Sequence, residues 1–226
     1  MKLTIEQIAK IDEALVLNGI IYEDIKLELT DHIASEIEYE MTENATDFKI
    51  AFKEVFKNWK EQFKPKTYGV WLGNYAGAKI FMDRFLQFTI DEYKAGFCLL
   101  VIFMIQKALN FDVTFTDDGA NFTIIALKAL LCIVFIITVT GRIMLKKHQF
   151  KTTFSEIFKR RFYLTIVYFL GFMLGAFPIL PSLENNYSDS YSIFLVIIFI
   201  FYNLNSFRLV AKHFKIKKQF EKSFTS

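Results

Sequence analysis

The 226 residues carry 27 Lys+Arg against 24 Asp+Glu, but residues 1 to 92 hold 17 acidic against 11 basic groups and the remainder 7 against 16, so the halves net −6 and +9. That asymmetry excludes a uniformly basic nucleic-acid binder and points to an acidic head followed by a basic, apolar region. Two cysteines, Cys98 and Cys132, both inside apolar stretches, read as small buried hydrophobes and argue against a structural disulfide.

The N-terminus turns acidic and amphipathic before any apolar stretch, so no secretory signal is read. Thr4 with Gln7 forms a capping pair, Ile5, Ile8, Ile11 and Leu15 supply one apolar face, and Asn18-Gly19 stops a first helix near Leu17. A second helix is predicted over Tyr22 to Met41, with Glu23 and Asp24 at its positive end and Ile25, Leu29, Ile33 and Ile37 recurring every fourth residue. A third, capped from Asn44, Thr46 or Asp47, carries Phe48, Phe52, Val55, Phe56, Trp59 and Phe63 on one side and Lys49, Lys53, Lys57, Lys60 and Lys64 on the other. Lys64-Pro65-Lys66 ends it. The lysines can face acidic helix two or anionic lipid.

Tyr68 to Ile90 is rich in aromatics, with Trp71, Tyr75, Phe81, Phe85 and Phe88, and reads as an interfacial bridge. Gly69, Gly73 and Gly77 recur every four residues, but no strand precedes them and no Gly-Lys-Ser/Thr follows, as a phosphate loop would require.

Four apolar runs fill the second half, at about Ala95 to Asn110, Phe122 to Gly141, Phe162 to Leu180 and Tyr191 to Phe207. About 20 residues cross the roughly 30 Å hydrocarbon layer, so the runs predict four spans. Loops with Asp112, Asp117 and Asp118, and with Glu184 and Asp189, hold no Lys or Arg; Arg142, Lys146, Lys147, Lys151, Lys159, Arg160 and Arg161 fill the central connection, and Arg208 to Lys222 the tail. Cytoplasmic loops retain Lys and Arg, which places both termini in the cytoplasm. Lys128 would cost about 3 kcal/mol at mid-membrane, but its run holds twelve Phe, Ile, Leu and Val residues, each returning roughly 0.3 to 0.6 kcal/mol, so insertion wins. Run one is the weakest, because Gln106 and Lys107 interrupt it.

The expected architecture is all-α: a three-helix cytosolic head (1–66), the aromatic bridge (67–92), a four-helix transmembrane bundle (93–212) and a basic cytosolic tail (213–226). Lys107, Lys128 and Asn203 are the membrane polar groups, read as interfacial anchors and a helix-pairing side chain or as members of a pathway. Gly171 and Gly175 offer a small-residue face for helix packing. Homo-oligomers are compatible with such a face.

Helix two carries Glu28, Asp31, His32 and Glu36, and the spacing of Glu28, His32 and Glu36 by four places these three along one face. A lone His among carboxylates, with His148 and His213 far away and no ligand spacing, argues for a partner-facing surface over a metal site. Neither a nucleotide loop, a serine elbow nor paired intramembrane carboxylates is present, so neither enzyme activity nor a cofactor is expected.

The stretch Tyr22 to Glu38, with its Glu-Leu-x-Asp-His-aliphatic core, resembles the acidic helix of HAAS-type and permease-prefix domains of bacterial membrane proteins. The likeness covers Leu3 to about Met41, with identities at Glu28, Leu29, Asp31 and His32. It implies a small helical module attached to a multi-span region and acting in signalling or regulation. The reading is thus a non-enzymatic protein of the bacterial inner membrane, resident in the bilayer, whose head binds a cytosolic or membrane protein partner. A small transporter or permease subunit is the alternative.

Overall fold

The structure is a computed structural model that describes residues 2–69, 75–109, 117–147, 150–177 and 190–223. Trp71, Gly73, Asp112, His148, Pro178 and the acidic loop at 181–189 lie outside them. The described chain is all-helical but for one strand pair. Its helices are α1 (Ile5–Leu17), α2 (Glu23–Glu43), α3 (Phe48–Phe63), α4 (Lys79–Ala108), α5 (Asp117–Lys147), α6 (Thr153–Met173) and α7 (Ser190–Ser223). Strands β1 (Pro65–Thr67) and β2 (Ala76–Ala78) pair antiparallel, with Lys66 opposite Gly77. Two compact units result: residues 1–91 with 150–153, and residues 92–149 with 154–226.

In the first unit the α1 capping box forms as the sequence implies, with the Thr4 hydroxyl accepting from Gln7 N–H and the Gln7 side chain accepting from Thr4 N–H. Gly19, at φ +84°, turns the chain after α1, a conformation that costs glycine little. α2 packs against both α1 and α3. Ile11 and Leu15, then Ile25, Leu29, Ile33 and Ile37, are at most 2% exposed, so one face of α2 is wholly buried. Ala51, Val55 and Phe63 close the core from α3. The segment expected as a bridge belongs to this unit: Phe81, Met82 and Phe85 of α4 are buried, and Tyr22 stacks on Phe81 at 4.3 Å. Gly77 has a physical reason in that contact, since a Cβ there would stand 3.1 Å from the Phe81 ring.

In the second unit α5, α6 and α7 share an apolar core of Leu131, Val134, Phe172, Val196 and Phe199. Their outward faces are also apolar: Ile125, Ile136, Ile143, Val167, Leu170, Ile197 and Leu204 are all exposed. Two helices are long and apolar enough to cross a membrane, α5 over Asn121–Lys147 and α7 over Phe194–Lys222. Only 17% and 28% of their apolar stretches are buried, unlike the core helix of a water-soluble domain.

Among the described residues, two of the four expected spans are thus met by a helix of sufficient length and composition. α4 sets Asp91, Glu92 and Lys94 before its apolar stretch and Lys107 at its end. α6 opens with Glu156, Lys159, Arg160 and Arg161, which leaves Phe162 to Met173 as its apolar part. Run three continues beyond that helix into residues 178–180, outside the described part.

Candidate partner-binding face

α2 buries its apolar stripe completely; Asp31 lies opposite that stripe, Glu28, His32 and Glu36 flank it, each one residue before a buried Leu29, Ile33 or Ile37, and all four are exposed. The structure divides these four. Arg84 of α4 donates to Glu28 Oε2 at 2.6 Å, and Trp59 Nε1 of α3 donates to Glu36 Oε2 at 2.9 Å. Both carboxylates therefore tie α2 to its neighbours. Among the described residues, no hydrogen bond or ion pair engages the side chains of Asp31 and His32. They stand one turn from Leu27, which is 48% exposed, and two turns from Tyr39, which is 66% exposed. A carboxyl and an imidazole flanked by an aliphatic and an aromatic side chain have the anatomy of a helix-face recognition surface. Among the described residues no three His, Cys, Asp or Glu side chains converge as a metal site requires.

One α2 residue acts in a way that sequence reasoning missed. Asp24, read as a favourable first-turn acid, has a side chain only 5% exposed. Its Oδ1 accepts from the backbone N–H of Thr153 at 2.8 Å, and Arg84 Nη1 stands 4.0 Å from Oδ2. Glu23 N–H donates to Lys151 O at 2.8 Å beside it. Thr153 is the first residue of α6, so Asp24 accepts one of the donors that a helix start leaves without an intrahelical partner. Burial pushes the Asp24 carboxyl above its ordinary value, against the lowering effects of the Thr153 hydrogen bonds and of Arg84. No local signal marks this role, because the partner is 129 residues away.

In the second unit Asn203 is fully buried. Its Oδ1 lies 3.1 Å from the Thr138 hydroxyl and 3.3 Å from that of Thr165, and its Nδ2 donates to Phe199 O at 2.8 Å. It joins α5, α6 and α7, which is the helix-pairing reading of this side chain. Neither Lys107 nor Lys128 is among its partners; Lys128 is exposed and Lys107 half-buried.

The small-residue face is used differently from the expectation. The nearest neighbour of Gly171 is the ring of Phe177, which belongs to the segment just after α6 and not to another helix. Gly175 adopts φ +78° with nothing within 4 Å of a would-be Cβ. It turns the chain at the end of α6, so that Phe177 N–H donates to Gly171 O at 3.0 Å.

Sequence reasoning also passed over Glu92 and Arg161, the latter counted only as a loop charge. Arg161 donates to both Glu92 oxygens, one bond measuring 2.6 Å, with side chains 8% and 11% exposed. The Tyr202 ring lies 5.2 Å from the same guanidinium. Comparison with protein-family models, with curated proteins and with solved structures gives no match to this chain.

Proposed function

We propose that this is a non-enzymatic, four-span protein of the bacterial inner membrane, with a regulatory or signalling head that binds a protein partner through α2. The observation that carries the partner reading is that α2, with one face wholly buried, also exposes Asp31 and His32, whose side chains form no hydrogen bond or ion pair among the described residues. The likeness of this stretch to HAAS-type and permease-prefix modules points the same way.

The four-span reading draws support from the second unit. Antiparallel crossings bring the start of run one, the end of run two, the start of run three and the end of run four to one level. Glu92 with Arg161, and Thr138 with Asn203 and Thr165, join positions at those four places. The basic connections then lie on the cytoplasmic side, as the retention of Lys and Arg requires. A transporter is less well supported, since Leu131, Val134, Phe172, Val196 and Phe199 fill the space between α5, α6 and α7.

Two experiments test the reading. Cysteines placed at Asp118 and at Lys147, in a Cys98→Ser, Cys132→Ser background, are treated in intact cells with an impermeant thiol reagent. Position 118 is expected to react and position 147 to be protected; the reverse pattern would overturn the topology. For the head, Asp31→Ala with His32→Ala is expected to lower capture of crosslinked partners from native membranes at least about tenfold while leaving stability within about 0.5 kcal/mol. Undiminished capture by the folded double variant would remove α2 as the recognition surface.

A further inference from the structure

α4 is attached to the second unit in a way that none of the other three helices shares. The apolar core there takes residues from α5, α6 and α7 and none from α4. Between Glu92 and Leu109 only Phe103 is buried, stacked on Phe194 at 4.4 Å, while Phe97, Val101, Ile102, Met104 and Ile105 are exposed. In a bilayer those exposed faces give no net drive to pack, because lipid tails are as apolar as the side chains they would meet. On the part of α4 that belongs to the second unit, the bidentate Glu92–Arg161 pair is a nearly buried polar hold, with Asn205 of α7 also hydrogen-bonded to Glu92, and the Phe103 ring stack lies further along the helix. Two facing charges with so little exposure are strongly favoured as a pair and strongly disfavoured apart.

We propose that the Glu92–Arg161 pair is a latch holding α4 on a self-sufficient α5–α6–α7 bundle, so that α4 is the helix that moves when the latch opens. The bilayer part of the argument rests on the four-span reading above. Arg161 has a second neighbour in the Tyr202 ring, which lies within cation–π range of the guanidinium. Asn203, Thr138 and Thr165 meanwhile keep α5, α6 and α7 joined without α4.

The test uses full-length protein in phospholipid nanodiscs, with Cys98→Ser and Cys132→Ser. Spin labels at Phe97→Cys and Leu164→Cys, both exposed positions, report the separation of α4 from α6. A second pair at Ile133→Cys and Leu204→Cys reports α5 against α7. Glu92→Gln is expected to raise the population at longer α4–α6 distance at least about tenfold and to leave the α5–α7 distance unchanged. Exchanging the charges, Glu92→Arg with Arg161→Glu, is expected to return the short distance. An unchanged α4–α6 distribution in Glu92→Gln would overturn the latch, as would failure of the exchange to restore it. Loss of the α5–α7 distance would overturn it too, by making the pair a staple of the whole bundle. Failure of the proposed orientation of α5, on which the four-span reading depends, would show in the thiol-labelling pattern and not in these distances.

Discussion

Ile33→Ala is expected to cost the first unit about 2–5 kcal/mol, the loss typical of a fully buried isoleucine whose cavity the neighbours cannot close. Ile33 is 0% exposed on α2, the helix that packs against both α1 and α3, so no rearrangement of one neighbour fills the gap. A small domain has only about 5–15 kcal/mol of stability in all, so the variant head should open to proteases at temperatures where the parent chain resists them. His32→Ala, one residue earlier but on the exposed face, should shift stability by no more than about 0.5 kcal/mol. Limited proteolysis of the two full-length variants, read by the fragment pattern within residues 1–91, checks the contrast. Equal resistance would mean that the α2 face is not the packing centre of the head.

Asp24 yields the second large effect, and a pH signature with it. Asp24→Leu removes the acceptor of the Thr153 N–H, a donor on a fully buried residue, and should cost about 1–3 kcal/mol. Asp24→Asn keeps an oxygen at that place and should cost less than about 1 kcal/mol at low pH. Because burial raises the carboxyl above its ordinary 3.8, the folded head holds the proton more tightly than the unfolded chain does. The stabilisation from that proton is complete below the ordinary value and is lost as pH rises through the folded one. An asparagine amide in its place does not titrate. Melting curves of both proteins from pH 4 to pH 7 should therefore show the asparagine variant gaining on the parent as pH rises. A gap that stays constant would mean that the carboxyl is not raised.

Local features of the chain were legible in its residues, and pairings over long separations were not. Thr4 with Gln7, Asn18-Gly19 and the fourfold recurrence of Ile25, Leu29, Ile33 and Ile37 each act within a turn or two, where the helical repeat makes them readable. α2 runs to Glu43, two residues beyond the expected Met41, and Asp47, one of the positions named for the start of α3, occupies its N-cap position without a side-chain capping hydrogen bond. The strands Pro65–Thr67 and Ala76–Ala78 are too short for alternation to show, and Lys64-Pro65-Lys66 signalled only a helix end. In the candidate site the exposure of Asp31 and His32 followed from the repeat. The engagement of Glu28 by Arg84 and of Glu36 by Trp59 did not, since the partners are 56 and 23 residues away. Gly171 and Gly175 show a further ambiguity: glycines four apart fit a helix contact and a helix end equally well, and only the positive φ of Gly175 decides between them.

The same separations set an order of events during synthesis. The ribosome makes α4 before the helix that latches it, and Arg161 follows Glu92 by 69 residues. At about 5–20 residues per second, Glu92 waits roughly 3–14 s for its counter-ion. Asp24 waits longer, because Thr153 is 129 residues downstream. The nascent head therefore lacks one of its own segments, residues 150–153, until α5 has been made. An N-terminal fragment released before that point would carry Asp24 with no backbone donor from Thr153.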